Sequence, residues 1–132
     1  MTSTRQPVPA SFVLPLILVV EDEGLIRLDI ADHLRDCGYQ VLEAGHAAEA
    51  IEILQADVPV GLVFSDVRMP GKLDGFDLAQ WIRRHRPEVR VILTSGHAVQ
   101  KAHELCSERP FLTKPYDPAN VLRQIHRLLG QP

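Results

Sequence analysis

Cysteine is nearly absent: Cys37 and Cys106 are the only two in 132 residues. The chain therefore has neither a disulfide framework nor a thiol pair at metal-ligand spacing, and both cysteines read as reduced cytosolic side chains lying partly in the core. An excess of one charge is lacking too, with 14 Lys and Arg against 17 Asp and Glu and a formal net charge of -3. So even a balance excludes general binding of nucleic acid or of an anionic membrane, both of which need a basic surface, and points to proteins as partners. Long hydrophobic runs are missing as well. Residues 11–20, SFVLPLILVV, imitate an export signal, but ten residues are too few to span a bilayer, Pro15 interrupts them, and Glu21-Asp22-Glu23 stands where a small-residue cleavage site belongs. They read as a leader plus a first strand, which leaves a cytoplasmic protein as the expectation. No tandem repeat, low-complexity tract or second domain is visible.

What is present suits one compact domain, with 45% hydrophobic and 23% charged residues. Residues 1–14, rich in Thr, Ser, Pro and Gln, read as a loosely ordered arm. Short apolar runs at 16–20, 40–44, 62–65, 89–93 and 111–113 have the length of strands. Helical spacing fills the intervals: Ile26, Ile30, Leu34 and Cys37 before a stop at Gly38; Ala47, Ala50, Ile51 and Leu54 before Pro59; Phe76, Ala79 and Ile82 before Pro87. Ala98, Ala102 and Leu105 suggest a fourth, short helix. The last has Asp117 as cap, Pro118 at its first position, and a stripe of Val121, Leu122, Ile125, Leu128 and Leu129 before Gly130. Five strands alternating with five helices, in runs too apolar to keep a wet face, imply an α/β fold: a five-stranded parallel sheet, doubly wound, with helices on both faces.

In such a sheet the binding crevice lies beyond the carboxyl ends of the strands. Strand one ends in Glu21 and Asp22, strand three in Asp66, strand four in Thr94 and Ser95, and strand five in Lys114. Three carboxylates at one rim repel one another unless a cation sits among them. Mg²⁺ suits a site of one or two carboxylates with room for a phosphate oxygen. Lys114 adds a fixed positive charge and Thr94 a hydroxyl donor, so the rim suits a phosphoryl group, with Asp66 as a nucleophile able to form an acyl phosphate.

Each feature also has a plainer reading. An acid near a helix start can simply offset the dipole; that suffices for Glu23 but not for Asp22 and Asp66, which end adjacent strands. Arg83-Arg84-His85-Arg86 closes a helix, where cations belong. His97 and His103, six apart, do not share a helix face and read as surface residues. Thr94 alone would be a cap and Lys114 alone a solvated lysine; their weight is joint.

These residues resemble the receiver domain of response regulators in two-component signalling, through LILVVEDE, FSDVRMPGKLDG, VILTSGH and PFLTKPYDP in order. The resemblance implies a flavodoxin-like receiver domain over residues 15–130; with the chain ending at Pro132, the expectation is a receiver of the single-domain type or else a piece of a larger regulator. It implies Asp66 as phospho-acceptor, Glu21, Asp22, Asp66 and the backbone carbonyl of Arg68 as Mg²⁺ ligands, and Lys114 as the lysine of the site. It implies Thr94 and Phe111 as the switch pair, and a cis Lys114–Pro115 bond. The implied partners are a histidine kinase or phosphotransfer protein, and a downstream protein on the surface of the fourth helix, fifth strand and fifth helix. The implied chemistry is confined to the domain's own phosphorylation and dephosphorylation. Glu21 stands where aspartate is commoner, Lys72 reads as an extra residue after Asp66, and Phe111 lacks the hydroxyl of the frequent tyrosine. Arg68 and Gly96 occupy positions that tune phosphate lifetime. Two rivals remain: an unphosphorylated binding module of the same fold, and a metal-dependent phosphohydrolase, which Arg68 disfavours by standing where a second carboxylate would act as general acid.

Overall fold

The computed structural model describes residues 15–95 and 111–130, with the side chain of Phe111 excepted. The arm at 1–14 and the helix expected at 98–105, with Gly96, His97, His103 and Cys106, lie outside the described residues. The order is β1 (Leu16–Val20), α1 (Gly24–Asp36), β2 (Gln40–Ala44), α2 (Ala47–Gln55), β3 (Val60–Asp66), α3 (Gly75–His85), β4 (Arg90–Ser95), β5 (Phe111–Thr113) and a last helix, Pro118–Leu129. All strand pairs are parallel and the sheet order is β2-β1-β3-β4-β5.

Period-two alternation splits the core across the sheet. Ile17, Val19, Leu62, Phe64 and Ile92 pack with Ile30 and Leu34 of α1 and with Val121 and Ile125 of the last helix. Leu18, Val20, Val63, Val91 and Leu93 pack instead with Ala47, Ala50 and Leu54 of α2 and with Leu78, Ala79 and Ile82 of α3. The sheet is thus covered on both sides, as strands without a polar face require. Ile125 is fully buried. Ile125→Ala is expected to lower stability by ~3 kcal/mol, the scale for emptying a large aliphatic site. A denaturation midpoint equal to that of the parent chain would show that the last helix is not packed as described.

Local chemistry sets most of the ends. Gly38, at φ 101°, turns the chain out of α1, and Gly130, at φ 68°, does the same for the last helix. At that helix's start the Asp117 carboxylate accepts from the Ala119 amide at 3.0 Å. Asp74 and Asp77 form a reciprocal capping box on α3, each carboxylate accepting the other's amide at 2.9 Å.

Several expectations need correction. Cys37 is exposed, because α1 ends at Asp36 and the thiol falls on the cap beyond the buried stripe. β3 starts before its expected run, at Val60, and β4 one residue after, at Arg90, while both carry on through the polar ends Asp66 and Ser95. Ladder partners extend them, since Asp66 pairs with Thr94 and Ser95 with Thr113. α2 stops well before Pro59, where Ala56 turns extended. In the last helix only Val121 and Ile125 are fully buried; Leu122, Leu128 and Leu129 cover the edge of the cluster.

Candidate functional site

The chain leaves β1 for β2 on one side and reaches β3 on the other, so the strand order reverses between β1 and β3. A crevice opens at the carboxyl ends of strands at such a reversal. Glu21 and Asp22 follow β1 there, and Asp66 closes β3. One carboxylate oxygen from each of these three lies within 4.8 Å of the others. A cleft of about 400 Å³ is lined by Asp22, Glu23, Asp66, Arg68, Met69 and Lys114, among others.

Glu21 and Asp66 are buried, at 4% and 8% exposure, whereas Asp22 is open to solvent. Lys114, carried from the end of β5, reaches both buried acids, with Nζ 2.9 Å from Glu21 Oε1 and 3.2 Å from Asp66 Oδ2. The other Glu21 oxygen accepts the Glu23 amide at 3.1 Å. Glu21 is not among the residues that line the cleft, though one of its carboxylate oxygens stays within 4.8 Å of those of Asp22 and Asp66. Thr94 is buried and directly opposite Asp66 in register. Its carbonyl accepts the Val67 amide at 2.8 Å, while the Ser95 carbonyl accepts that of Lys114 at 2.7 Å, so the ends of β3, β4 and β5 are tied together.

Burial is the largest influence on both buried acids and raises their pKa values. For Asp66 the ammonium of Lys114 and the amides of Arg68 and Val67 pull the other way without overcoming it. For Glu21 the Lys114 hydrogen bond and the Glu23 amide oppose burial, and the charge of Asp66 adds to it. Lys114 is itself opposed by burial, but its contacts with Glu21 and Asp66 win and hold its pKa above the ordinary lysine value. Three acids against one ammonium leave an uncompensated negative site, which fits a divalent cation with oxygen ligands.

A stability profile follows from these directions. A carboxyl whose pKa is raised on folding binds its proton more tightly in the folded chain, so stability falls as pH rises from about 4 through the folded values of Asp66 and Glu21. The Lys114 contribution has the same sign at higher pH: it is complete below the ordinary lysine value of 10.5 and is lost as pH rises through the higher folded one. Metal-free melting should therefore weaken from pH 4 toward neutrality, and a saturating divalent cation should offset that loss by binding the folded chain alone. Melting unmoved by added Mg²⁺ at pH 7 would argue against a shared cation site.

The structure brings Glu21, Asp22, Asp66 and Lys114 together, sets Thr94 beside Asp66, and puts Arg68 on the cleft wall. The Lys114–Pro115 peptide is cis. The Phe111 side chain lies outside the description. Three contributors went unread in the sequence. Gly75 sits against the Asp66 backbone, where a Cβ would lie 2.4 Å from the Asp66 carbonyl oxygen. Arg27 donates to the Glu21 carbonyl at 2.8 Å. Tyr116 stands edge-on to Phe64 with ring centroids 5.5 Å apart, and its hydroxyl is pushed up to about 12, by burial first, with Lys114 opposing and the nearby acids adding. A glycine directly after a capping aspartate was the only sequence signal for Gly75; the other two carried none.

Known proteins resemble this chain in sequence and fold. The family model for the response regulator receiver domain matches residues 17–126. Transcriptional regulatory protein PdtaR of Mycobacterium tuberculosis is 36% identical over 113 residues, covering 83% of this chain and 54% of PdtaR. This chain spans about half the length of such curated relatives. Among solved structures, a response regulator receiver domain protein from Clostridium thermocellum superposes with a TM-score of 0.81 at 28% identity, covering 89% of this chain and 95% of that one. The receiver domain of NtrX from Brucella abortus does so with a TM-score of 0.79 at 32% identity, covering 88% and 99%. A doubly wound parallel sheet, the acids and lysine at its strand ends and a match over most of its length place this chain in the response regulator receiver domain family.

Proposed function

We propose that this chain is a phospho-accepting receiver, with Asp66 taking a phosphoryl group from a phosphohistidine on a histidine kinase or phosphotransfer protein. The observation that carries this reading is the pairing of Lys114 with two buried carboxylates at 2.9 and 3.2 Å beside an open acidic cleft. Residues 15–130 form the receiver unit in this reading, residues 1–14 an arm, and the setting is the cytoplasm.

In the transfer, an Asp66 carboxylate oxygen attacks phosphorus. A P–O bond forms as the P–N bond breaks, and the departing imidazole keeps the electron pair and takes a proton from solvent. Asp22, Asp66 and the Arg68 carbonyl would hold Mg²⁺, with Glu21 assisting, and the ion when bound supplies positive charge against the phosphoryl oxygens. Lys114 shifts from pairing two carboxylates to pairing one and a phosphoryl oxygen. Thr94 donates its hydroxyl to the same group. The new group brings roughly one and a half to two negative charges; Thr94 and Phe111 are the switch pair in this reading, and the surface of β5 and the last helix changes shape for a downstream protein. Water attacking the same phosphorus later releases phosphate and restores the carboxylate, so the chemistry is confined to the domain's own phosphorylation and dephosphorylation.

The test is intact mass after incubation with Mg²⁺ and acetyl phosphate. One phosphoryl group should add, only when the metal is present, and peptide mapping should place it on Asp66. A phosphoryl group mapped elsewhere would overturn Asp66 as acceptor, and none from either acetyl phosphate or a competent kinase would leave an unphosphorylated binding module of this fold.

A further inference from the structure

Asp22 lines the cleft, yet among the described residues no hydrogen bond or ion pair holds its carboxylate. Its direction therefore depends on the backbone that carries it. That backbone is clamped one residue earlier, at both sides of Glu21: the amide donates to the Ala44 carbonyl at 3.0 Å, and the carbonyl accepts from Arg27 Nη1 at 2.8 Å. Glu23, which follows, starts α1 without a side-chain cap. Arg27 is itself held, since its Nε donates to Glu43 Oε1 at 3.2 Å. The other Glu43 oxygen accepts Arg35 Nη2 at 3.0 Å, and the same nitrogen donates to the Val41 carbonyl at 3.0 Å. The Arg27 and Glu43 side chains are about a quarter exposed, so neither is a solvated surface charge.

A guanidinium suits this role because its planar fork donates in two fixed directions at once, here to a carbonyl and a carboxylate. Its charge also lies against the backbone of a turn that carries three consecutive acids, Glu21, Asp22 and Glu23. Lys114 holds the Glu21 carboxylate, whereas Arg27 holds the Glu21 main chain. The two cations have separate duties.

We propose that Arg27, seated by Glu43, is a positioning residue of the acidic site: by fixing the Glu21 peptide it aims Asp22 into the cleft and so sets the affinity for a divalent cation. The inference rests on the phospho-accepting reading above and extends the site to an α1–β2 ion network that touches neither cleft nor phosphoryl group.

Calorimetric titration of the full chain with Mg²⁺ alone, beside metal-free thermal melting, tests it. Arg27→Ala should weaken Mg²⁺ binding about tenfold, on the scale of losing a supporting contact to a metal ligand. Arg27→Lys, which keeps the charge and one donor, should recover part of that. Glu43→Gln should weaken binding less, and Arg27→Ala with Glu43→Gln should be no worse than Arg27→Ala alone, the mark of residues acting in series. Leu34→Ala, which damages packing on the same helix, should lower melting without moving the Mg²⁺ constant. Equal Mg²⁺ affinity in Arg27→Ala and the parent chain overturns the inference and leaves the function standing. Equal weakening by Leu34→Ala also overturns it, by tracing the effect to stability. Should Arg27→Ala fail to fold, Arg27→Lys and Glu43→Gln decide alone, and parental affinity in both overturns the inference. A parent chain that binds no Mg²⁺ overturns both.

Discussion

Asp66→Asn is expected to lose all phosphoryl uptake while melting at a higher temperature than the parent chain in the absence of metal. The first half follows from chemistry, because an amide in place of the carboxylate is not a nucleophile toward phosphorus. The second follows from which influence wins at Asp66. Burial raises its pKa and the attraction of Lys114 does not cancel that, so the charged form is held at net expense. Removing one partner of a buried pair normally destabilises by leaving the other unpaired. Here Lys114 is not orphaned, because Glu21 Oε1 stays 2.9 Å away. Asparagine keeps the shape, removes one negative charge from a cluster of three acids, and should stabilise the metal-free fold by ~1 kcal/mol, about 3–5 °C for a domain of this size. The Mg²⁺-dependent rise in melting should shrink in the same variant. Intact mass and scanning calorimetry check the two halves separately. Persisting uptake would move the acceptor elsewhere, and a lower metal-free melting temperature would mean that the Lys114 pair outweighs burial.

How much of this was readable in advance depends on the range of the interaction. Glu21, Asp66, Thr94 and Lys114 could be read because each directly follows an apolar run, and a parallel sheet aligns such ends whatever the loops do. The two-sided core was legible for the same reason: strands with no polar face need cover twice. Strand ends were not, since β3 and β4 continue as long as neighbours supply ladder partners, and Asp66 and Ser95 are polar residues inside that ladder. Cys37 was misplaced by its spacing, because a three-residue step keeps its face only while the helix lasts, and α1 stops at Asp36. Arg27 and Glu43 were invisible: their contact joins positions 16 apart on a helix and a strand, and neither periodicity nor composition records it. The receiver resemblance supplied residue roles, such as those of Arg68 and Phe111, that spacing alone did not.

Gly75→Ala shows the same gap at its widest, and it joins a structural loss to a functional one. In an open helix position alanine is favoured over glycine by ~1 kcal/mol, so the substitution looks benign on sequence grounds. The structure reverses the sign. A Cβ at Gly75 would stand 2.4 Å from the Asp66 carbonyl oxygen, 2.7 Å from Val67 Cα and 3.0 Å from the Asp66 carbonyl carbon, all of them backbone. Nothing flexible can yield. The Gly75 amide also donates to the Val67 carbonyl at 2.7 Å, which closes the loop from Arg68 to Asp74 onto the end of β3. Either α3 lifts away and strains that bond, or the Asp66–Val67 peptide shifts and carries the acceptor carboxylate with it. We expect a net loss of ~2–3 kcal/mol, the scale of overpacking a close-packed site. Phosphoryl uptake should slow by one to two orders of magnitude, since a displacement of about 1 Å at a reacting group can have that effect. Gly71→Ala is the control. Its φ of 96° strains any side chain, yet no atom lies within 4 Å of the added Cβ, so it should lose ~1–2 kcal/mol through backbone conformation and leave the uptake rate nearly unchanged. Parental melting and parental uptake in Gly75→Ala would mean that the β3 terminus gives way freely, and the tight seat of α3 beneath Asp66 would then play no part in holding the acceptor in place.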